Sequence, residues 1–210
     1  MTSEEIFNEI NKNLLESVKP SSCIKHLLKE GKLDQKPFNM IKKLEEIDQN
    51  PKYHPEGSVL NHTLLVVDNA AEYKKYSKDK GVFMWAALLH DIGKLTTTRV
   101  RRNRITSYNH DIEGEKLSTD FLDMLTDDEE FKYKVSKLVK YHMQPLFFDK
   151  NLKFFSPKLM FAEVDYNEIY NLSLCDRLGR GNLTEQTIKE EKKRLNNFRE
   201  YCEKEVSGGL

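Results

Sequence analysis

Glycine and proline are scarce, nine and six in 210 residues, against a usual combined share of ~12%. That scarcity excludes a loop-rich or many-stranded architecture and points to long helices. Only three cysteines occur, Cys23, Cys175 and Cys202. They lack CxxC spacing, and an odd number cannot close a disulfide framework, so a reducing, intracellular setting is expected. The longest apolar run, Val82 to Leu89, is far short of the ~20 residues of a membrane span. The opening residues, Met1 to Glu5, lack the basic start and apolar stretch of a signal peptide. A cytoplasmic protein with no membrane partner is the expectation. Net charge is missing as well: Lys plus Arg equals Asp plus Glu at 34 each. That excludes coating nucleic acid through overall charge and leaves only a local patch for such contacts; no DNA partner is expected.

What is present is helical periodicity. Thr2 and Glu5 form a capping box before Ile6, Ile10, Leu14 and Val18 at helical spacing. Ser21 or Ser22 caps a short helix stopping at Gly31. A third helix is expected from Pro37, a favoured first position, to about Asp48. Residues 50–57 read as a loop, and Ser58 caps a long helix to about Lys78. Gly81 opens the most apolar segment, a buried central helix over Val82 to Asp91 that Gly93 stops. Residues 95–109 break the pattern and read as a short exposed hairpin with a turn at Arg102-Asn103. Helices follow over 113–125 and 128–142, from Ser156-Pro157, near 165–178 and over 184–204. The fold class expected is all-α, a helical bundle with this hairpin-like insertion. Residues 1–48 form a helical preface to the domain at 49–210, the two making one continuous unit.

Six histidines occur, most beside the apolar face of a helix. His62 shares a face with Val59, Leu65 and Val66. His142 follows Val135, Leu138 and Val139 at i+7, i+4 and i+3 and points inward. Asp176 follows Ile169, Leu172 and Ser173 at the same spacings, and His90-Asp91 ends the most apolar helix. A single inward histidine is ordinary, but an ionised carboxylate on an apolar face is costly unless paired or bound to a cation. Several such groups on different helices are satisfied together by a metal centre, or separately by backbone and arginine. Mixed imidazole and carboxylate ligands suit Mn, Fe, Co, Ni or Zn, with Mg a poorer match.

These residues resemble the HD-domain phosphohydrolases. His62, the doublet His90-Asp91 within His-Asp-Ile-Gly-Lys (90–94), and Asp176 match the ordered H…HD…D pattern, which implies the HD helical bundle and four metal ligands. His110 in His-Asp-Ile-Glu-Gly (110–114) and His142 in Tyr-His-Met-Gln-Pro (141–145) match the two extra histidines of the subset that holds two metals. Residues 50–181 also resemble the HD domain of bacterial CCA-adding tRNA nucleotidyltransferases, through Tyr53-His-Pro-Glu-Gly57, Asn61-His62-Thr63, the stretch from Lys94 to His110, and Cys175-Asp-Arg-Leu-Gly-Arg180. No nucleotidyltransferase motif of Gly-Ser followed by Asp-x-Asp occurs and 49 residues upstream are too few for that domain, so nucleotide addition is not expected.

The resemblance implies a metal-dependent enzyme, one or two divalent ions, and 2′,3′-cyclic phosphodiesterase or nucleotidase chemistry on a nucleotide or an RNA end. A metal pair about 3.5–4 Å apart activates water and clamps phosphate oxygens, and Asp91 is placed to bridge it as a catalytic residue. Lys94 is a candidate catalytic and phosphate-holding cation, or a solvated lysine. Arg177 and Arg180 either fork onto phosphate or form salt bridges. By resemblance His54 touches substrate. The arginines at 99, 101, 102 and 104 are either a solvated hairpin or a landing surface for RNA. Two further readings stay open: a nucleotide or alarmone phosphatase on the same ligands, and a non-catalytic RNA- or nucleotide-binding module.

Overall fold

In the computed structural model, which describes residues 1–102 and 104–208, helices account for the architecture and one short antiparallel hairpin interrupts them. Helix α1 (Ser3–Glu16) begins with the expected capping box, Thr2 and Glu5 each satisfying the other's backbone N–H. Its buried face, Ile6, Ile10 and Leu14, lies against the central helix α5 (Lys80–Leu89). Phe7 stacks on Trp85 with ring centroids 4.9 Å apart, and the Trp85 indole N–H donates to Asn11 Oδ1 at 2.9 Å. Every residue of α5 from Val82 to Leu89 is buried, which explains why this segment lacks an amphipathic period.

Several boundaries differ from expectation. Helix α2 (Ser21–Lys29) has no side-chain cap; the Ser21 hydroxyl instead donates to Asp68 Oδ2 at 2.7 Å, tying α2 to α4 (Val59–Tyr73). The single helix expected over 37–48 is α3 (Asn39–Lys43) followed by a 3-10 turn at Leu44–Glu46. The tighter turn carries Leu44 inward with Phe38 and Ile41, and the chain then extends so that Asp48 bridges Ser58. Ser58 caps α4 as expected, its side chain accepting from the Asn61 N–H. That helix ends at Tyr73 rather than Lys78 and gives way to a 3-10 turn, Lys74–Tyr76. Asp79, not Gly81, starts α5 by accepting from the Val82 N–H.

Gly93 ends the central helix, but not as a left-handed cap: its φ is −63°. It is needed for close approach. A Cβ there would lie 2.0 Å from the carbonyl oxygen of His110, so only glycine lets the turn after α5 touch the start of α7 (His110–Asp123). Between them lie α6 (Lys94–Thr97), β1 (Arg99–Arg101) and β2 (Arg104–Thr106). Asn103, half of the expected turn, lies outside the described residues. The remaining helices are α8 (Glu129–Tyr141), α9 (Gln144–Asp149), α10 (Pro157–Glu163), α11 (Tyr166–Leu178) and α12 (Glu185–Ser207).

Candidate metal centre

Five helix ends converge on one buried spot. His62 lies in the first turn of α4 and His110 is the first residue of α7. His90 and His142 cap the C-termini of α5 and α8, and Asp176 sits in the last turn of α11. Asp91 follows His90 in the turn. Three of the five ends are C-terminal, where the helix dipole favours positive charge. Local packing explains the placement: His90 and His142 directly follow the buried stripes of α5 and α8, whereas His62 and His110 stand at the starts of α4 and α7, ahead of most of their buried residues.

Asp91 is the hub, with a side chain 3% exposed. Its Oδ2 lies 3.3 Å from His90 Nε2 and 3.9 Å from His62 Nε2. Its Oδ1 lies 3.5 Å from His110 Nε2 and 4.0 Å from His142 Nε2. Each oxygen thus has its own pair of imidazoles. Three of the rings are held in one tautomer by backbone: His90 Nδ1–H donates to Ala87 O at 2.9 Å, His110 to Ser107 O at 2.7 Å, and His142 to Val139 O at 2.6 Å. Nδ1 therefore carries the proton and Nε2 presents a bare lone pair, the arrangement typical of metal-bound histidine.

Burial dominates the ionisation of this group. It pushes the His110 imidazole down to about 3, outweighing the attraction of Asp91, and it likewise lowers His142. Both rings are neutral at pH 7. For Asp91, burial opposes ionisation, but the neighbouring Lys94 ammonium outweighs it and holds the carboxyl well below the usual range. Asp176 is kept similarly low against burial by its hydrogen bond from His62. That bond, Nε2 to Oδ1 at 2.9 Å, raises the His62 imidazole to about 9 in spite of burial, with help from Glu56.

The donor set fits divalent metal. Four imidazole nitrogens and two carboxylates face one another, and His90 Nε2 is buried with no hydrogen-bond partner among the described residues. Leaving a buried polar nitrogen unpaired costs ~1–3 kcal/mol, a cost that an ion at that nitrogen removes. His62, His90 and Asp91 form one group close enough to hold an ion, and Asp91, His110 and His142 form another.

Lys94 Nζ reaches the hub, donating to Asp91 Oδ2 and Gln49 Oε1 at 2.7 Å each. His54 stands beside His62, ring centroids 4.8 Å apart. Arg180 lies near enough to Asp176 to favour its ionised form, and its buried Nε has no partner among the described residues. Arg177 is buried, and one guanidinium nitrogen donates to Glu191 of α12, the salt-bridge use of the two expected.

Two participants carried no assignment in the sequence. Gln49 is one; a lone polar residue at a loop start gives no signal. Glu56 is the other. Its Oε1 lies 2.9 Å from both His54 Nδ1 and His62 Nδ1, the latter off the line of a good hydrogen bond, and its Oε2 accepts from the Gly181 N–H at 2.9 Å. The Tyr53–Gly57 motif contained it, but nothing in residue type separates a structural glutamate from a solvated one. A separate cleft of about 540 Å³ at the end of α4, between α11 and α12, is lined by Tyr73, Tyr170 and Arg199 and contains none of these residues.

The HD domain family model matches residues 59–178. The chain is 29% identical over 106 residues to the multifunctional CCA protein of Actinobacillus pleuropneumoniae, covering 50% of this chain and 25% of that protein. It is 29% identical over 144 residues to that of Alkalilimnicola ehrlichii, covering 69% and 33%, and 33% identical over 100 residues to that of Pasteurella multocida, covering 47% and 23%. The chain therefore spans about a quarter to a third of the length of these relatives.

Proposed function

The chain belongs to the HD-domain family, and from that premise we propose that it hydrolyses a phosphoester of a nucleotide or an RNA end, of the 2′,3′-cyclic phosphodiesterase or nucleotidase type. The family is one of metal-dependent phosphohydrolases, and the clustered histidines and aspartates fit that chemistry. The observation that carries the reading is the division of Asp91, one carboxylate oxygen to each of two imidazole pairs. His62, His90 and Asp176 would hold one ion with Asp91, and His110 and His142 a second. When bound, divalent metal acidifies a water and neutralises phosphate oxygens.

The chain's own residues supply the rest. Asp91 stays ionised and orients its neighbours. Lys94 is a cation beside the hub, able to exchange Asp91 for a phosphate oxygen. Arg180 offers a second cation at the Asp176 side, and His54 a hydrogen bond to the substrate. In hydrolysis water adds to phosphorus, one P–O ester bond breaks, and the departing oxygen takes a proton. The similarity of residues 50–181 to the HD domain of CCA-adding tRNA nucleotidyltransferases directs the proposal to a nucleotide or RNA end.

The test is turnover of 2′,3′-cyclic nucleotides, mononucleotides and bis-p-nitrophenyl phosphate by chelator-stripped protein resupplied with Mn, Co, Ni, Zn or Mg. The proposal expects no turnover without metal and cyclic-ester opening with it. Activity confined to nucleotide phosphates or alarmones would move the assignment to a phosphatase. Metal uptake with no turnover on any substrate would leave a binding module.

A further inference from the structure

The hairpin between α6 and α7 pairs Arg99 with Thr106, Val100 with Ile105 and Arg101 with Arg104. Directly opposed residues share a face of the ribbon. Arg99, Arg101 and Arg104 therefore stand on one side, Val100 and Ile105 on the other, with Arg102 at the turn. That is four arginines within six residues of a chain carrying no net charge. Among the described residues, arginine ion pairs are made by Arg177, Arg194 and Arg199, and none by these four. Arg99 folds back onto the carbonyls of Thr96 and Thr98.

Like charges directly opposed weaken a ladder, and an isolated two-stranded ribbon is marginal in water. The Arg101–Arg104 rung costs stability that no contact among the described residues returns; an anion between the two guanidinium groups would return it. The ribbon is also fastened to the metal centre. Thr98 Oγ1 lies 2.8 Å from Ser107 Oγ across its base and 2.8 Å from Lys94 O, and Ser107 O is the carbonyl that orients His110. Two exposed tyrosines adjoin residues of the site in the chain: Tyr108, 79% exposed, two residues before His110, and Tyr53, 56% exposed, next to His54.

We propose that the arginine face is a track for single-stranded RNA whose terminal phosphoester enters the metal centre. The proposal rests on the phosphohydrolase reading and narrows it from nucleotides to RNA ends. Arg99 and Arg101, two residues apart on a strand, are spaced about 7 Å along it, comparable with the gap between successive backbone phosphates. Exposed tyrosines give unpaired bases a stacking surface, as in other single-strand sites, whereas an acidic peptide would have no use for them. A 2′,3′-cyclic ester requires the 2′-hydroxyl that only RNA has.

The experiment measures binding of a fluorescein-labelled single-stranded RNA of about twelve nucleotides, within the usual span of such sites, by anisotropy over a salt series. Wild type is compared with Arg101→Gln/Arg104→Gln. The variant should bind about tenfold more weakly or worse, and its salt slope should flatten by about 1.4, two contacts at ~0.7 each for a single strand. Removing the like-charged rung should leave its melting temperature no lower than wild type, so lost binding would not reflect unfolding. Its ratio of kcat/KM for an RNA 2′,3′-cyclic end to that for a cyclic mononucleotide should fall in step. Unchanged RNA affinity and slope would overturn the track, as would equal affinity for duplex DNA or displacement of RNA by polyglutamate as readily as by RNA. The two readings fail separately. Turnover of cyclic mononucleotide with unaltered RNA binding in the variant sinks the track alone, and arginine-dependent RNA binding without any hydrolysis sinks the phosphohydrolase alone.

Discussion

Gly93 rests against the backbone of His110 so closely that a Cβ would come within 2.0 Å of the His110 carbonyl oxygen. That contact locks the turn carrying Asp91 to the helix start carrying His110. Gly93→Ala meets backbone that cannot step aside, and we expect a loss of about 3 kcal/mol or more together with weakened metal binding. Gly114→Ala is the control. Its Cβ would lie 2.8 Å from a Val139 methyl, a side chain able to shift, and the helical gain over glycine offsets part of the cost, leaving about 1 kcal/mol. Thermal melts of the two variants check the order.

Glu56 is expected to act as a positioning residue for His62. Its Oε1 stands 2.9 Å from His62 Nδ1, and its Oε2 joins the loop before α4 to the loop after α11 through Gly181. Glu56→Gln should lower metal affinity ~10–100-fold, the usual cost of losing such a support, read by competition with a chromogenic chelator. An unchanged affinity would reduce Glu56 to a loop tether.

Metal uptake should depend on pH through His62. Its imidazole, raised to about 9 by carboxylate neighbours that overcome burial, is protonated at pH 7 and must lose a proton to bind metal. Affinity at that site should therefore climb by about one decade per pH unit up to about 9, then level. His110, already neutral because burial holds it at about 3, adds no such slope. Calorimetry in buffers of different ionisation enthalpy measures the proton released; a flat affinity from pH 6.5 to 8.5 would contradict the assignment.

The two arginines of α11 and its end should separate cleanly. Arg177→Ala strands Glu191 in a buried position, with only Arg194 left at 3.2 Å, and should cost about 2–3 kcal/mol, somewhat below the range for breaking a buried pair outright. Its KM should stay near wild type. Arg180→Ala should do the reverse, raising KM with little change in melting temperature.

The helices and the hub were legible because burial imprints itself on spacing. His142 and Asp176 fell on apolar stripes, and the unbroken apolar run of α5 ended at His90-Asp91. The fate of Arg177 was not legible, since its partner lies 14 residues away on a separate helix and periodicity does not report which groups pair. Gly93 was read as a helix stop because glycine serves both left-handed caps and close approach; only the position of His110 tells them apart. The broken helix at 37–46 reflects the demand of the core for Leu44, which no local propensity encodes.

Metal stoichiometry by elemental analysis tests the centre most directly, on wild type, His110→Ala and His142→Ala after saturation and desalting. With Asp91 shared between two imidazole pairs, wild type should hold about two ions per chain, and each variant about one, with most activity lost, because two histidines with one bridging oxygen complete the second site. A single ion in wild type that both variants retain would contradict the bridging role of Asp91 and return His110 and His142 to substrate contacts or packing.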